Sequence, residues 1–264
     1  MEPILKWPGG KRKLTSFIRK YIPSTFGKYY EPFCGGAALF FSLEPDGATI
    51  SDANNDLINC YKNVALFPHQ LIKVLKGMKN SEESYYATRE WIPGNDLERA
   101  AKFLYLSKLS FNGIYRVNLK GEFNVPYGYK THLEVCDDIS ILKSSSLLLK
   151  NQIDTFDFSK VIEYAKNGDL IYFDPPYTVA HKNNGFIKYN DKIFSWEDQK
   201  RLSLVARKLQ EIGCYVLISN ADHSSIRELY PTFDEEIILR SSVISANKEN
   251  RKNVTESLFY GTKK

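Results

Sequence analysis

The sequence predicts an α/β protein whose sheet is assembled from both ends of the chain, with a largely helical insertion between them. Short apolar runs bounded by glycine or polar residues occur before residue 52 and again after residue 147, and such runs are typical of buried strands. Helical spacing separates them, as successive βαβ units require. The stretch over 56–143 is helix-like and rich in polar residues, which indicates an insertion rather than more of the sheet.

The N-terminal elements alternate in type. Helices are predicted over 14–22 and 37–43, and strands over 28–33 and 48–51. The first strand leads into a turn at Gly35 and Gly36, and the second ends at Asp52. A strand, a glycine turn, a helix and a second strand form the pattern with which a nucleotide-binding α/β fold begins.

The remaining elements complete this prediction. Helices are predicted over 97–109 and 196–213, and strands over 147–149, 169–173 and 214–219. The segment 236–261 predicts two antiparallel strands joined by a polar loop. We therefore divide the chain into one domain formed by 1–55 and 144–264, and a mainly helical domain over 56–143.

Composition narrows the class of protein. Of the 264 residues 43% are hydrophobic and 25% are charged, which is ordinary globular usage. No apolar stretch approaches the roughly 18 residues of a membrane span, and the N-terminus lacks a signal-peptide core. The four cysteines have neither disulfide nor zinc spacing. We expect a cytoplasmic protein without a membrane segment or a metal.

The most informative motif is Asp174-Pro175-Pro176-Tyr177, directly after the strand predicted over 169–173. Ligands of a parallel sheet bind beyond the carboxyl ends of its strands, where this motif lies. Successive prolines fix the backbone and have no N–H, so nearby carbonyls are left as acceptors. A carboxylate, a carbonyl and an aromatic face suit a planar amine such as the exocyclic amino group of a nucleobase. The alternative is a strand-ending turn with a capping Asp.

Two further motifs favour a nucleoside ligand. EPFCGG (31–36) places glycines in a strand-to-helix turn, and Asp52 suits the two hydroxyls of a ribose. The motif is not GxGxxG, so a dinucleotide is less favoured. KWPGGK (6–11) offers Trp7 for packing on a ligand and Lys11 for a carboxylate, and a P-loop is absent. A glycine turn with a helix-capping Asp, and a turn with a solvated lysine, are the alternatives.

Together these blocks resemble the Dam-type DNA adenine methyltransferases. KWPGGK, EPFCGG with Asp52, FNGIYRVNLKGEFNVPYG (111–128) and DPPY stand in the order and at the spacing of that family, over almost the whole chain. The resemblance implies a Rossmann-like methyltransferase sheet with an inserted, mainly helical target-recognition domain. It also implies S-adenosyl-L-methionine as cofactor and methyl transfer to N6 of adenine in double-stranded DNA.

The resemblance also implies residue roles. Asp174 would bind the target N6, Pro175 would supply a carbonyl, and Tyr177 would stack on the base. The implied catalytic residues are Asp174, Pro175, Pro176 and Tyr177. The implied cofactor contacts are Trp7, Lys11, Phe33, Gly35, Asp52, Asp157, Phe158 and Asp174, with Asp52 at the ribose and Asp157-Phe158 at the adenine.

The block over 110–128 resembles the target-recognition hairpin of the family. Arg116 suits a bidentate contact with O6 and N7 of guanine, and Asn112 suits the space left by an opened base pair. Members with closely similar blocks act on GATC, so the resemblance implies GATC or a related site, read with base flipping. The residues expected to contact DNA are Asn112, Arg116, Asn118, Lys120, Lys130, Lys248, Arg251 and Lys252. We expect a monomer in solution and one or more copies on DNA. Whether the enzyme is solitary, part of a restriction-modification system or a component of a phage or mobile element stays open.

Other activities stay open at this point. Enzymes with DPPY or NPPY also act on N4 of cytosine, on RNA and on protein glutamine, although KWPGGK and the hairpin block favour duplex DNA. A C5-cytosine methyltransferase needs a cysteine nucleophile, usually after proline, and none of the four cysteines follows proline. A non-catalytic DNA-binding module is the alternative from a different class.

The net charge of +5 conceals a polarised distribution. Residues 3–30 include seven basic residues and no acidic one, and the windows 108–130 and 240–252 each hold four basic residues and one acidic. The rest of the chain is therefore acidic overall. The last two windows suit phosphate contacts, so we expect DNA affinity to fall steeply as salt rises.

Overall fold

The computed structural model describes residues 1–118, 120–178, 194–241 and 253–262, without the side chains of Arg240, Ser241, Asn253 and Val254. Within these ranges the strands are β1 (Tyr29–Glu31), β2 (Thr49–Ser51), β3 (Gln152–Asp154), β4 (Leu170–Phe173), β5 (Tyr215–Ala221), β6 (Asp234–Ser241) and β7 (Asn253–Gly261). They form one sheet in the order β3-β2-β1-β4-β5-β7-β6. This confirms the predicted α/β class.

The helices of the described residues include those predicted over 37–43, 97–109 and 196–213. They are α1 (Thr15–Ile18), α2 (Ala38–Leu43), α3 (Asn55–Leu66), α4 (Pro68–Lys76), α5 (Glu82–Glu90), α6 (Asp96–Leu109), α7 (Asp138–Leu148), α8 (Trp196–Ile212) and α9 (Ser224–Arg227). Short 3-10 turns cover Arg19–Tyr21, Phe111–Gly113 and Phe158–Glu163. Several helices begin where a side chain accepts an otherwise unpaired amide hydrogen, as Ser195 does in its capping box with Asp198.

The chain divides into two compact units, of which the first comprises Met1–Thr15 and Cys34–Phe156. Strands β2 and β3 of this unit pair in parallel, with Ile50 opposite Ile153. Helices α3, α4, α6 and α7 pack against one another, with buried residues such as Leu57 at their contacts. The described part of 56–143 contains no named strand, so the insertion is mainly helical as predicted. Its role in target recognition is still a prediction.

The second unit comprises Ser16–Phe33 and Asp157–Lys264. Its strands β1, β4 and β5 are parallel, whereas β7 is antiparallel to both β5 and β6. One face of this sheet packs against α8 through a core that includes Ile171, Phe173, Ile218, Leu202 and Leu209. Because side chains alternate along a strand, Tyr172 and Glu256 lie on the opposite face.

The sheet order reverses between β1 and β4. The chain passes from β1 to β2 and β3 on one side, and from β4 to β5 on the other. Ligands of open α/β sheets bind outside the carboxyl ends of the strands at such a reversal. Glu31 ends β1 and Asp174 follows β4, so the second unit carries both chain segments at this point.

One predicted strand was wrong. The run Leu147-Leu148-Leu149 does not form a strand, because α7 extends to Leu148 and β3 begins only at Gln152. Asp137 caps α7 by accepting a hydrogen bond from Ser140 N, and Ile141, Ser144 and Leu148 are buried at helical spacing. Three successive leucines fit a buried strand, but here they form the end of a helix whose buried residues recur at helical spacing. The predicted domain boundary at 143/144 falls inside α7, and the domain division stays a prediction.

Candidate active site

Asp174 begins the loop that follows β4 in the second unit. All four residues of β4 are buried, Pro175 is buried, and Asp174 is half-buried. Burial, followed by the negative charge of Asp174, raises the pKa of Tyr172 well above its ordinary value. The Tyr172 hydroxyl lies 2.8 Å from Ser219 Oγ on the neighbouring strand β5. Asp174 therefore lies beside a buried polar row on this face of the sheet.

Tyr177 is oriented by an acid from β7. Its hydroxyl donates a hydrogen bond to Glu256 Oε2 at 3.1 Å, and Glu256 is only 3% exposed. Burial raises the pKa of Tyr177 well above its ordinary value, and the charges of Glu256 and Asp174 raise it further. The Tyr177 side chain is thus a neutral phenol whose hydroxyl is fixed by Glu256, and this fixes the orientation of a ring that could stack on a base.

A buried amide from α8 holds the carbonyl between Pro176 and Tyr177. Gln199 Nε2 donates to Pro176 O at 3.3 Å, and Gln199 Oε1 accepts from Asn220 Nδ2 at 3.0 Å. Neither Gln199, Asn220 nor Glu256 was among the predicted site residues. Gln199 lies in an ordinary amphipathic pattern and the other two in strands, so no local signal distinguishes them.

Phe33 and Phe158 lie together in the second unit. Their rings stack with centroids 5.2 Å apart, and Phe194 meets both edge-on. Phe158 is 4% exposed, and the Arg201 guanidinium lies 4.4 Å from its ring centroid. Phe33 is only half-buried, so of the two predicted aromatic contacts it presents the more accessible ring.

Asp157 is held by two partners. Arg201 donates two hydrogen bonds to its carboxylate at 3.0 and 2.9 Å, and Ser159 donates through its backbone N–H and its hydroxyl. Partial burial alone would raise the pKa of Asp157, but the bonds from Ser159 and Arg201 outweigh it and lower that pKa. Asp157 is therefore an oriented, ionised acceptor.

Asp52 closes the glycine turn of the first unit. Its carboxylate accepts from the backbone N–H of Gly35 and of Asn54, both at 3.0 Å. Desolvation raises the pKa of Asp52, and these amide donors offset only part of that rise. On the other side of the turn, Tyr61 donates through its hydroxyl to Gly35 O at 2.8 Å. The structure thus brings two predicted cofactor residues, Gly35 and Asp52, into direct contact.

Trp7 packs against the same turn. Gly35 has φ +45°, and a Cβ there would come within 2.6 Å of Trp7 Cδ1, so this close approach requires glycine. The indole also stacks on Tyr115, with centroids 5.2 Å apart and planes inclined by 14°. Lys11 is 3% exposed, and its ammonium donates to Gly9 O at 2.8 Å, inside the N-terminal turn.

The segment 110–128 of the first unit has antiparallel pairing, as predicted for a hairpin. Isolated bridges join Ser110 to Tyr127 and Val117 to Phe123. Between them, Arg116 Nε donates to Asn124 Oδ1 at 2.8 Å, while Asn124 N donates to Arg116 O at 3.1 Å. The guanidinium is therefore oriented by the opposite strand of the hairpin.

The other predicted DNA contacts occupy different positions. Asn118 closes the hairpin turn, since its Oδ1 accepts from the N–H of Lys120 and of Glu122. Lys130 donates to Ser110 O at 3.2 Å, and burial together with the nearby Lys6 lowers its pKa. The exposed residues are Asn112, which has φ +57°, and Lys120. Lys248, Arg251 and Lys252 lie outside the described residues.

The described residues include neither a candidate membrane helix nor a candidate metal cluster. Across 1–118, 120–178, 194–241 and 253–262, no helix is long and apolar enough to cross a membrane. In the same part of the chain, no group of three or more His, Cys, Asp or Glu side chains is placed to hold a metal ion.

The sheet and the residues at its reversal point fit the methyltransferase class that the sequence blocks predict. The family described as D12 class N6 adenine-specific DNA methyltransferase matches residues 7–245. The chain therefore belongs to the D12 class of N6 adenine-specific DNA methyltransferases, which confirms the predicted enzyme class.

Individual relatives agree with this assignment. The type II methyltransferase M1.LlaDCHI of Lactococcus lactis subsp. cremoris is 38% identical, over 97% of this chain and 94% of the relative. The type II methyltransferase M.MjaIII of Methanocaldococcus jannaschii is 36% identical, over 96% of each chain. The DNA adenine methylase of Haemophilus influenzae is 34% identical, over 99% of this chain and 94% of the relative.

Proposed function

We propose that this enzyme transfers the methyl group of S-adenosyl-L-methionine to N6 of adenine in double-stranded DNA, at GATC or a related short site, with the target base flipped out. The observation that carries the proposal is the loop 174–177, which follows a buried strand at the reversal of the sheet. It combines a half-buried carboxylate, a buried proline and a held phenol ring. These groups match the edge and the face of an extruded adenine.

The proposed chemistry is activation of a conjugated amine. Asp174 and the Pro175 carbonyl accept the two N6 hydrogens, which draws the nitrogen lone pair out of the ring. That lone pair would form the new bond to the methyl group supplied by the bound cofactor, and the proton that N6 then loses would pass through its acceptor Asp174 to water. The cofactor supplies an electrophilic methyl group on a sulfonium centre. Tyr177 holds the base by stacking, worth about 1–3 kcal/mol.

The residues present fit this cofactor. Asp52 offers carboxylate oxygens to ribose hydroxyls, and its bonds to Gly35 and Asn54 hold it in place. Asp157 offers an oriented, ionised carboxylate to the exocyclic amine of the cofactor's adenine, with Phe33 as a neighbouring aromatic ring. We assign Trp7 and Lys11 to its methionine end and Phe158 to its adenine.

We assign target recognition to the domain over 56–143 and its hairpin. Arg116, oriented by Asn124, is the proposed reader of a guanine. Asn112 is proposed to enter the space of the opened pair, and Asn118 to support the hairpin turn. Lys120, Lys130, Lys248, Arg251 and Lys252 are proposed phosphate contacts. The names of the relatives support either a type II restriction-modification partner or a solitary adenine methylase.

The test is expression in a strain that lacks adenine methylation, followed by long-read mapping of modified bases. We expect N6-methyladenine at one short motif, GATC or a near variant, and none from Asp174→Ala expressed to the same level. N4-methylcytosine, or no modified base from soluble wild-type protein, would refute the proposal. Methylation at an unrelated motif would refute only the GATC assignment.

A further inference from the structure

Two fully buried amides form a hydrogen-bonded chain that ends on the catalytic loop. Asn220 of β5 donates through Nδ2 to Gln199 Oε1 at 3.0 Å, and Gln199 of α8 donates through Nε2 to Pro176 O at 3.3 Å. Asn220 Oδ1 in turn accepts from the backbone N–H of Ala221 at 2.8 Å. Both amide side chains are 0% exposed. The chain therefore links the end of β5 to the loop 174–177.

Burying an amide costs desolvation free energy unless its polar atoms are hydrogen-bonded, and apolar side chains at the same positions would not incur this cost. This cost is offset because the oxygen and the nitrogen of each amide are both paired. Gln199 bonds to Asn220 and to Pro176 O, and Asn220 bonds to Gln199 and to the N–H of Ala221. An amide is also directional, since it accepts on one atom and donates on the other. The order of donors thus selects the Pro176 carbonyl as the last acceptor.

This bond sets the geometry of the loop. Proline has a fixed φ and no N–H, so its carbonyl is the single backbone group through which Pro176 can be held. Gln199 occupies that carbonyl, whereas no hydrogen bond reaches the Pro175 carbonyl from the part of the chain that the structure describes. On the far side of the loop, Glu256 holds the hydroxyl of Tyr177. The loop is therefore held at two points, the Pro176 carbonyl and the Tyr177 hydroxyl.

We propose that Gln199 and Asn220 are positioning residues for methyl transfer, which fix the Pro176 carbonyl away from the target amine so that Asp174 and the Pro175 carbonyl face it. This inference rests on the proposed function. Gln199 acts on the loop directly, and Asn220 acts only through Gln199. Displacing a reacting group by about 1 Å can cost about 100-fold in rate. The effect therefore falls on the chemical step rather than on binding.

The first test is Gln199→Met, which keeps the volume of the side chain and removes its amide. We expect the single-turnover methylation rate to fall about 10- to 100-fold, with the Kd values for S-adenosylhomocysteine and for DNA within about twofold of wild type. The matched control is Gln210→Met, because Gln210 lies on the same helix and donates to Thr232 O and Thr262 O, away from the loop. A Gln199→Met rate within twofold of wild type overturns the proposal.

The second test separates positioning from general stability. Asn220→Leu alone should slow methylation, because Asn220 acts on the Pro176 carbonyl through Gln199. The double variant Asn220→Leu/Gln199→Met should be no slower than Gln199→Met alone, and additive losses of rate would contradict the proposed chain.

Hydrogen exchange gives a readout that does not depend on activity. Peptides covering 173–178 should exchange faster in Gln199→Met and Asn220→Leu than in wild type or Gln210→Met. If wild-type protein methylates no adenine, the proposed function fails, and the exchange comparison still decides whether the amide pair holds the loop. Unchanged exchange in both variants would show that it does not.

Discussion

Trp7 and Tyr115 stack face to face, with ring centroids 5.2 Å apart and planes inclined by only 14°. Trp7 belongs to the KWPGGK block and also packs on Gly35, whereas Tyr115 belongs to the hairpin over 110–128. A single indole therefore contacts both the glycine turn proposed for the cofactor and the hairpin proposed for DNA. Phe103 of α6 supports the stack, with its ring 6.2 Å from Trp7 and 4.9 Å from Tyr115.

We expect Tyr115→Leu to weaken cofactor binding although Tyr115 is not a proposed cofactor contact. Losing an aromatic pair is worth about 0.5–1.5 kcal/mol, so the Kd for S-adenosylhomocysteine should rise about 2- to 10-fold in calorimetry. Tyr115→Phe keeps the stack and should bind as wild type does. An unchanged Kd in Tyr115→Leu would show that the two blocks are independent.

Asp174→Ala should abolish methylation while DNA binding is largely retained. Removing a group that stabilises the reacting amine typically costs at least about 100-fold in rate. A tritiated-methyl assay measures the turnover, and an electrophoretic shift measures DNA binding. Asp154→Asn is the matched control, because Asp154 ends the parallel strand β3 and its side chain lies on the surface near Lys62. Near wild-type turnover of Asp174→Ala would remove this residue from the mechanism.

Arg116→Ala should relax discrimination at one base pair of the site. If its guanidinium makes a bidentate contact with guanine, the loss is about 1–3 kcal/mol at that position and little elsewhere. Asn124→Ala removes the acceptor that orients Arg116 and should give the same pattern more weakly. Specificity constants on singly substituted duplexes measure both effects. Lys120→Ala should instead weaken binding equally on every duplex, and unchanged selectivity of Arg116→Ala would exclude it as a base reader.

The pKa of Asp52 predicts how cofactor affinity depends on pH. Desolvation raises this pKa above its usual value of 3.8, so ionising Asp52 disfavours the folded state. Its contribution to stability is greatest at low pH and is lost as pH rises through the raised pKa. A ribose contact needs the carboxylate, so cofactor affinity should fall as pH decreases through the same value. A pH series of Kd values tests this, and Asp52→Asn should show no such transition.

Much of the fold could be predicted because the sheet is strongly patterned. The apolar runs of β1, β4 and β5 correspond to buried strands, and the glycine turn and Asp52 stand where the motif spacing placed them. The segment Leu147–Leu149 could not be assigned correctly from composition, because three leucines satisfy a strand and a helix end equally well. Burial of Ile141, Ser144 and Leu148 on one face of α7, which depends on tertiary packing, carries the helix to Leu148.

The supporting residues of the site could not be predicted, for a physical reason. Gln199, Asn220 and Glu256 come from three different elements, and each is ordinary in its local pattern. Their importance arises only when the sheet brings them to one loop. Residues that contact a ligand directly can be recognised from a sequence motif. The residues that position them cannot, because their contacts arise only from tertiary packing.

The pairing of β1 with β4 also bears on how the protein is made. Tyr29 lies opposite Leu170, and Lys28 N donates to Asp169 Oδ1 across 141 positions of the chain. On a ribosome that adds 5–20 residues per second, β1 therefore waits roughly 7–28 s before its partner emerges. During that interval the buried backbone groups of β1 have no β4 to bond. The pairing of β1 with β4 can therefore form only late in synthesis, after the whole insertion between them has left the ribosome.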